Sequence, residues 1–323
     1  KVTAFVLALV LLLSAVPAGV FSAVGQAQKA PLQIAVISDT HFYPQALMGN
    51  DRAAFEAYCR MTARQFSQTN ALLDAGLGAI ALHAQTNGTK YLILPGDLTK
   101  DGEYEGHTEL AERLELFERE TGIQVLVING NHDLNNSGAQ AFVNGKMVPS
   151  RTTTPEEFRA IYANLGYDLA YNTYTPLAGE KAGMLSYSVK LDGGYRFIAL
   201  DGGKYSSDNT KKGIDEHETG GNFSEGLMAW ALAEMADAER NGETVIGMMH
   251  HNLVPQFETE PSLFQDFVID YWMERAEAFA DAGMRYVFTG HMHANNMSSH
   301  VSDNGHTIVD CQTPSLTGFP NMF

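Results

Sequence analysis

The sequence predicts an α/β fold built on a largely parallel central sheet, and three observations predict it. Short apolar runs of strand length alternate with longer segments whose apolar residues recur at helical spacing, the pattern of successive strand–helix units. Five of those runs end in clusters of His, Asp and Asn, which one edge of the sheet would collect. The third observation is bulk: 323 residues, 45% of them apolar and 18% charged, suffice for a full core in one large domain or two moderate ones.

In chain order, Lys1 is followed by an uncharged, mostly apolar stretch from Ala4 to Val24, with small residues at Ala23, Gly25 and Ala27. Residues 1–27 therefore read as an export signal or an N-terminal membrane anchor, outside the fold. Length does not separate the two, because the stretch could span a bilayer. The small-residue cluster favours a cleaved signal and an exported protein, either extracellular, at the cell surface or periplasmic. The chain has no initiator Met and stops at "TGFPNMF", which admits trimming at either end. Residues 32–323 are the expected folded domain, with no internal repeat and no long linker.

The first strand, "LQIAVIS" from Leu32, leads into Asp39 and His41, and "YLIL" from Tyr91 leads into Asp97 within "PGDLTKDGE". Leu110, Leu114 and Phe117 then share one face of a helix. "VLVI" from Val125 runs into Asn131, His132 and Asp133, and "YRFIAL" from Tyr195 supplies the next strand. "TVIGMM" from Thr244 ends in His250 and His251. Phe264, Phe267, Val268, Tyr271 and Trp272 form a broader helical stripe, read as core. "YVFT" from Tyr286 ends in His291 and His293, and "HTIVD" from His306 is the last strand. The carboxyl edge of an open α/β sheet is where ligands bind. Six of the eleven histidines fall at these strand ends, whereas His83, His107, His217, His300 and His306 read as satisfied loop or core residues.

Two carboxylates, one amide and several imidazoles offer nitrogen and oxygen donors without thiolates, a set suited to Mn, Fe or Zn. Cys59 and Cys311 lack zinc-type spacing and read as buried small residues, although export would permit a disulfide. The donors exceed the needs of one ion. Two divalent ions sharing a carboxylate, about 3.5–4 Å apart, are the arrangement that stabilises attacking and leaving oxygens in phosphoryl transfer. Two dications and two aspartates leave a net positive site, so a small phosphorylated substrate is the expected partner. The net charge of -17 argues against a broad basic surface for non-specific nucleic-acid binding.

The segments D-x-H, G-D, G-N-H-D, H-H-N and G-H-x-H, in that order from Leu32 to Asp310, resemble the calcineurin-like metallophosphoesterases. The resemblance implies a two-sheet mixed β-sandwich flanked by helices, with the metal site at the C-terminal ends of strands. It implies hydrolysis of phosphate mono- or diesters by a metal-bridging hydroxide. Carried over by position, Asp39, His41 and His293 would hold one metal, Asn131, His250 and His291 the other, and Asp97 would bridge. His132 would handle a proton beside the metals, Asp133 would orient its ring, and Gly130 would allow the tight turn. Two departures stand out. Asn252 follows the histidine pair where many relatives carry Pro, which bears on choosing His250 over His251. Only thirty residues follow His293, so the second sheet could be incomplete and leave an exposed edge.

The alternative is an exported metal- or phosphate-binding protein without turnover, which a degenerate ligand set would signal; none of the expected positions is missing. H-E-x-x-H is absent, and Ala294 and Asn295 follow "HMH", so metallopeptidase and metallo-lactamase patterns do not fit. Substrate choice would fall to the insertion between Leu134 and Gly183, which carries Arg151 and Arg159, and to the loop from Asp201 with Lys204, Lys211 and Lys212. For any one of these an ordinary loop role is the simpler reading.

Overall fold

Each of the seven apolar runs forms a strand in the computed structural model, which describes residues 31–62 and 64–318. The expected signal or anchor, residues 1–27, lies outside them. Strands β1 (Ile34–Val36), β2 (Tyr91–Pro95) and β3 (Gln124–Ile128) pair in parallel as a three-stranded sheet. Strands β4 (Gln140–Val143) and β5 (Lys146–Pro149) form a small antiparallel ribbon. The second sheet is assembled from β6 (Ala170–Thr173), β7 (Tyr187–Leu191), β8 (Tyr195–Ala199), β11 (Thr244–Met248), β12 (Met284–Thr289), β13 (Asn296–Val301) and β14 (Thr307–Gln312). Between β8 and β11 the chain makes a short ribbon of β9 (Gly203–Lys204) and β10 (Glu218–Gly221).

The spatial order of the second sheet is β13-β14-β12-β11-β8-β7-β6. Its inner four strands are parallel, and both flanks turn antiparallel. The largely parallel central sheet expected from strand–helix alternation is thus two sheets, as the family resemblance implied. Alternation fixes that neighbours run parallel but carries no information about which strands pair across a crossover. The seven-stranded sheet is mixed and the three-stranded one is wholly parallel.

Side-chain alternation explains the layers. On β8, Phe197 and Ala199 join a core shared with Ile93 of β2 and Val125 and Val127 of β3. Ile198 and Leu200, on the other face, pack with Leu227, Ala231 and Met235 of the helix Glu225–Arg240 and with Phe279 of the helix Trp272–Asp281. The helix Thr69–Asn87 adds Leu73 and Leu77 to the shared core, and the helix Tyr104–Thr121 adds Leu110, Leu114 and Phe117. Each such side chain taken from water contributes about 1.5–3 kcal/mol.

The stripe expected from Phe264 to Trp272 is not one helix: a 3-10 turn covers Gln265–Phe267, Val268 is extended, and the next α-helix begins at Trp272. Asn252 pairs with this segment, donating its N–H to the Phe267 carbonyl (3.1 Å) and accepting from Ile269 N (2.9 Å), which holds the backbone extended. Val268 is buried, while Phe264 and Tyr271 are exposed. Cys59 ends the helix Ala53–Cys59, Cys311 lies in β14, and both thiols are free. The residues after His293 supply β13 and β14. The open edge of the second sheet on that side is β13, where Met297 and Val301 are exposed.

Candidate metal centre

Five strands deliver the site. The chain leaves β1 into Asp39 and His41, β2 into Asp97, β3 into Asn131, β11 into His250, and β12 into His291 and His293. Donor atoms of Asp39, His41, Asp97 and His293 form one group and those of Asp97, His250 and His291 a second, each within 4.8 Å of one another. Asp97 Oδ2 joins the two, lying 3.3 Å from His250 Nε2 and 3.7 Å from His41 Nε2. In the first group, His293 Nε2 is 3.3 Å from Asp39 Oδ1 and 3.1 Å from His41 Nε2. In the second, His250 Nε2 is 3.1 Å from both Asn131 Oδ1 and His291 Nδ1.

Hydrogen bonds outside the cluster decide what its atoms offer. A carbonyl only accepts, so the Pro95 oxygen 2.9 Å from His250 Nδ1 requires the proton there; against burial, Asp97 and Asp39 push the ring's pKa up to about 9, and Nε2 offers a lone pair once a cation displaces its proton. The Asp266 carbonyl 3.1 Å from His291 Nε2 likewise leaves His291 Nδ1 a lone pair. With both rings neutral, His250 Nε2 turns its lone pair toward those of Asn131 Oδ1 and His291 Nδ1, each 3.1 Å away. A cation reconciles them, and the nitrogen and oxygen donors fit two divalent ions that share Asp97. All of these side chains except that of His293 are buried.

The backbone is shaped for this convergence. Asp39 (φ +49°), His41 (+39°), Asp97 (+48°), His291 (+70°) and His293 (+59°) are left-handed, five of the eight such non-glycine residues among those described. Gly130 itself is not left-handed. Glycine is needed there for close approach, because a Cβ would strike the backbone nitrogen and carboxylate of Asp97. That differs from the expected tight turn. Gly96 is needed on both counts, with φ +89° and the His250 ring and Gly130 backbone where a Cβ would stand.

His132 stands beside the cluster with its side chain 20% exposed. Its N–H donates to Asp97 Oδ1 (2.9 Å), and its ring Nε2 is 4.0 Å from Asp97 Oδ2. Its Nδ1 is 2.8 Å from Asp101 Oδ1. Burial alone would lower the His132 pKa, yet the negative charges of Asp97 and Asp101 raise it above the usual histidine value.

The expectation that Asp133 orients this ring is corrected. The Asp133 carboxylate accepts from Gly130 N (2.7 Å), Thr99 N (2.9 Å) and Leu98 N (3.1 Å), tying the loops after β2 and β3 together. Burial, with the Asp97 charge, pushes its pKa up to about 6 against those three donors. Asp101 is the ring's partner, and it is itself paired with Lys100, whose fully buried ammonium also meets Glu103 at 3.5 Å. Asp101 sits four residues after Asp97 in "GDLTKDGE", a signal no stronger than that of any charged loop residue.

Other candidates stay outside. His251 Nε2 donates to the Thr219 carbonyl (2.8 Å), so His250 is the member of the pair in the cluster. His83, His107, His217, His300 and His306 each bond a neighbouring side chain. Arg151 stacks on Tyr104 and pairs with Glu157, Arg159 lies over Tyr167, and Lys204 pairs with Asp270 at 2.6 Å.

Comparison with known proteins bears on the same residues. The family profile described as calcineurin-like phosphoesterase matches residues 32–295. No match to a curated protein was found. Among solved structures the chain is similar to a dimetal phosphatase from Danio rerio, with 12% identity over 90% of each chain and a TM-score of 0.59. It is also similar to the purple acid phosphatase PPD1 from yellow lupin (Lupinus luteus) seeds, with 11% identity over 90% of this chain and 45% of that one and a TM-score of 0.50. At these identities the likeness speaks for the fold alone. A profile match over most of the sequence, beginning at β1 and ending just past His293, makes the chain a member of the calcineurin-like phosphoesterase family, metal-dependent hydrolases of phosphoric esters.

Proposed function

We propose that this chain is an exported enzyme that hydrolyses small phosphate mono- or diesters at a pair of Mn, Fe or Zn ions. Asp39, His41 and His293 would hold one ion, Asn131, His250 and His291 the other, and Asp97 both. The observation that carries this reading is the position of Asp97 Oδ2, within 3.3 Å of His250 Nε2 and 3.7 Å of His41 Nε2, so that one carboxylate oxygen serves two donor groups. When bound, the ions activate water for in-line attack on phosphorus and neutralise charge on the phosphoryl oxygens.

The chain's own residues do the rest. Pro95 and Asp266 carbonyls fix the ring orientations of His250 and His291 and the nitrogen each turns to the centre. His132, held at Nδ1 by Asp101, has Nε2 4.0 Å from Asp97 Oδ2, beside the donor groups. As the P–O ester bond breaks, Nε2–H gives its proton to the leaving oxygen. The net charge of -17 supports a small substrate gripped at the centre rather than a polyanion spread over the surface. The apolar segment from Ala4 to Val24 supports export.

The test is to load the purified protein with Mn, Fe or Zn in turn, desalt it, count ions per chain and profile hydrolysis of monoesters and diesters. Two ions with turnover are expected. One ion or none, or phosphate binding without hydrolysis under every metal, would replace this reading with the binding protein. Fractionation of the producing cell should find the mature chain outside the cytoplasmic membrane.

A further inference from the structure

Arg64 belongs to none of the motifs, yet the fold brings it to the centre. Its backbone forms an antiparallel bridge with Gly318, its neighbour Gln65 donates N–H to the Thr317 carbonyl (2.8 Å), and Thr62 Oγ1 donates to the Arg64 carbonyl (3.1 Å). The same C-terminal segment is fastened to the first metal motif, since Ser315 Oγ donates to the Asp39 carbonyl (2.9 Å) and Leu316 N to the Ser38 carbonyl (3.1 Å). Arg64 is thereby held in register with Asp39, and its Nη2 comes within 3.5 Å of His132 Nε2.

The guanidinium faces no acid there. Among the described residues its recorded side-chain neighbour is the His132 ring, with no carboxylate inside the 4.0 Å ion-pair distance. In a chain with 38 acidic and 21 basic residues, an arginine that meets no acid and turns toward an imidazole is unusual. Next to a pair of dications it would be repelled. The group that reconciles a guanidinium, the His132 imidazole and two dications is an anion arriving from outside the protein.

We infer that Arg64 is a substrate-binding residue that grips the non-bridging oxygens of the phosphoryl group from the His132 side of the centre. The inference rests on the hydrolase reading above. A guanidinium presents two parallel N–H donors to a tetrahedral oxyanion, so it neutralises charge and fixes the rotation of the phosphoryl group at once. Placed beside His132, it aligns the leaving oxygen with the imidazole that protonates it.

The experiment compares Arg64→Ala and Arg64→Lys with wild type in the metal-loaded full chain. It measures inhibition by orthophosphate, kcat/KM on a nitrophenyl ester, metal content and Tm. For Arg64→Ala, orthophosphate inhibition should weaken tenfold or more and kcat/KM should fall on the order of 10²-fold, with metal content and Tm unchanged. Arg64→Lys, which keeps the charge but loses the fork, should fall between. Unchanged orthophosphate inhibition in Arg64→Ala at full metal content overturns the inference. If Arg64→Ala loses metal, Arg64→Lys decides: weakened phosphate inhibition at full metal supports the inference, and unchanged inhibition overturns it. A wild-type chain that binds orthophosphate by calorimetry but hydrolyses no ester overturns the hydrolase reading instead. Arg64 then stands or falls on whether Arg64→Ala weakens that binding.

Discussion

Replacing Asp101 by Asn isolates the orientation of His132 from its presence. The bond from His132 Nδ1 to Asp101 Oδ1 is 2.8 Å and partly buried. A hydrogen bond to a charged group contributes roughly 1.5–3 kcal/mol. At about 1.4 kcal/mol per factor of ten, losing that contribution should lower kcat about 10- to 100-fold on an ester with a poor leaving group. His132→Ala removes the proton donor itself and should cost on the order of 10² to 10⁴. On a nitrophenyl ester, whose leaving group departs without a proton, both losses should shrink. Asp133→Asn weakens instead the carboxylate that gathers Leu98, Thr99 and Gly130, so it should lower Tm without changing the ratio between the two esters. Asp101→Asn also withdraws one of the two carboxylates around buried Lys100, so some fall in Tm is expected and the ratio of the two esters is the informative number. The assay is kcat on both esters with metal content and Tm. Equal losses on both esters in Asp101→Asn, or a leaving-group effect in Asp133→Asn, would refute the assignment of the ring's partner. Metal loss in His132→Ala would make that residue a ligand.

Asp97→Asn should empty both sites together, since one carboxylate oxygen faces both donor groups; elemental analysis after desalting that finds one ion retained contradicts the sharing. Burial lifts the Asp310 carboxyl to about 7, against an ordinary value of about 4, although Leu253 N, Val254 N and Thr289 Oγ1 all donate to it. Between those values the folded chain holds a proton that the unfolded chain has lost, so stability should fall by up to about 4 kcal/mol as pH rises from about 4 to 7. Asp310→Asn should flatten that fall; a wild-type Tm that climbs relative to the variant across the window would contradict it. Arg196 is fully buried and bonds Glu234 (2.9 Å), Asp237 (2.9 Å) and Glu243 (2.6 Å). Arg196→Met should therefore cost about 3–5 kcal/mol in urea unfolding, and a loss under about 1 kcal/mol would mean the carboxylates find water instead.

The strand ends were legible because each metal motif directly follows a run of apolar residues, and that adjacency is local. What the runs do across the sheet is not local. "YSVKL" makes β7 and "NMSSHV" makes β13, yet the one is broken by Lys190 and the other is largely polar, so neither reads as a strand without its partners. Phe264 to Trp272 has helical spacing, but pairing with Asn252 outweighs it. The site divides in the same way. Donor atoms were readable, whereas the partner of the His132 ring was not. Adjacent residues at a turn point apart, so Asp133 faces the β2 loop and Asp101 arrives from that loop to meet the ring. Arg64 had no signal at all, since only the return of residues 315–318 places it.

The left-handed backbone at Asp39, His41, Asp97, His291 and His293 has a consequence for how metal and folding are coupled. Each such residue costs roughly 1–2 kcal/mol relative to right-handed backbone. The hydrophobic layers on either side of the seven-stranded sheet bear that strain whether or not an ion is present. Folding therefore rests on these layers and not on the ion, unlike small zinc modules that fold only around it. A chelator should strip the protein to a folded apo form that takes metal back without passing through an unfolded state. Because the donors stand on backbone anchored between packed layers, selectivity among ions should depend on their radius and preferred geometry more than on the chain's ability to adapt to them.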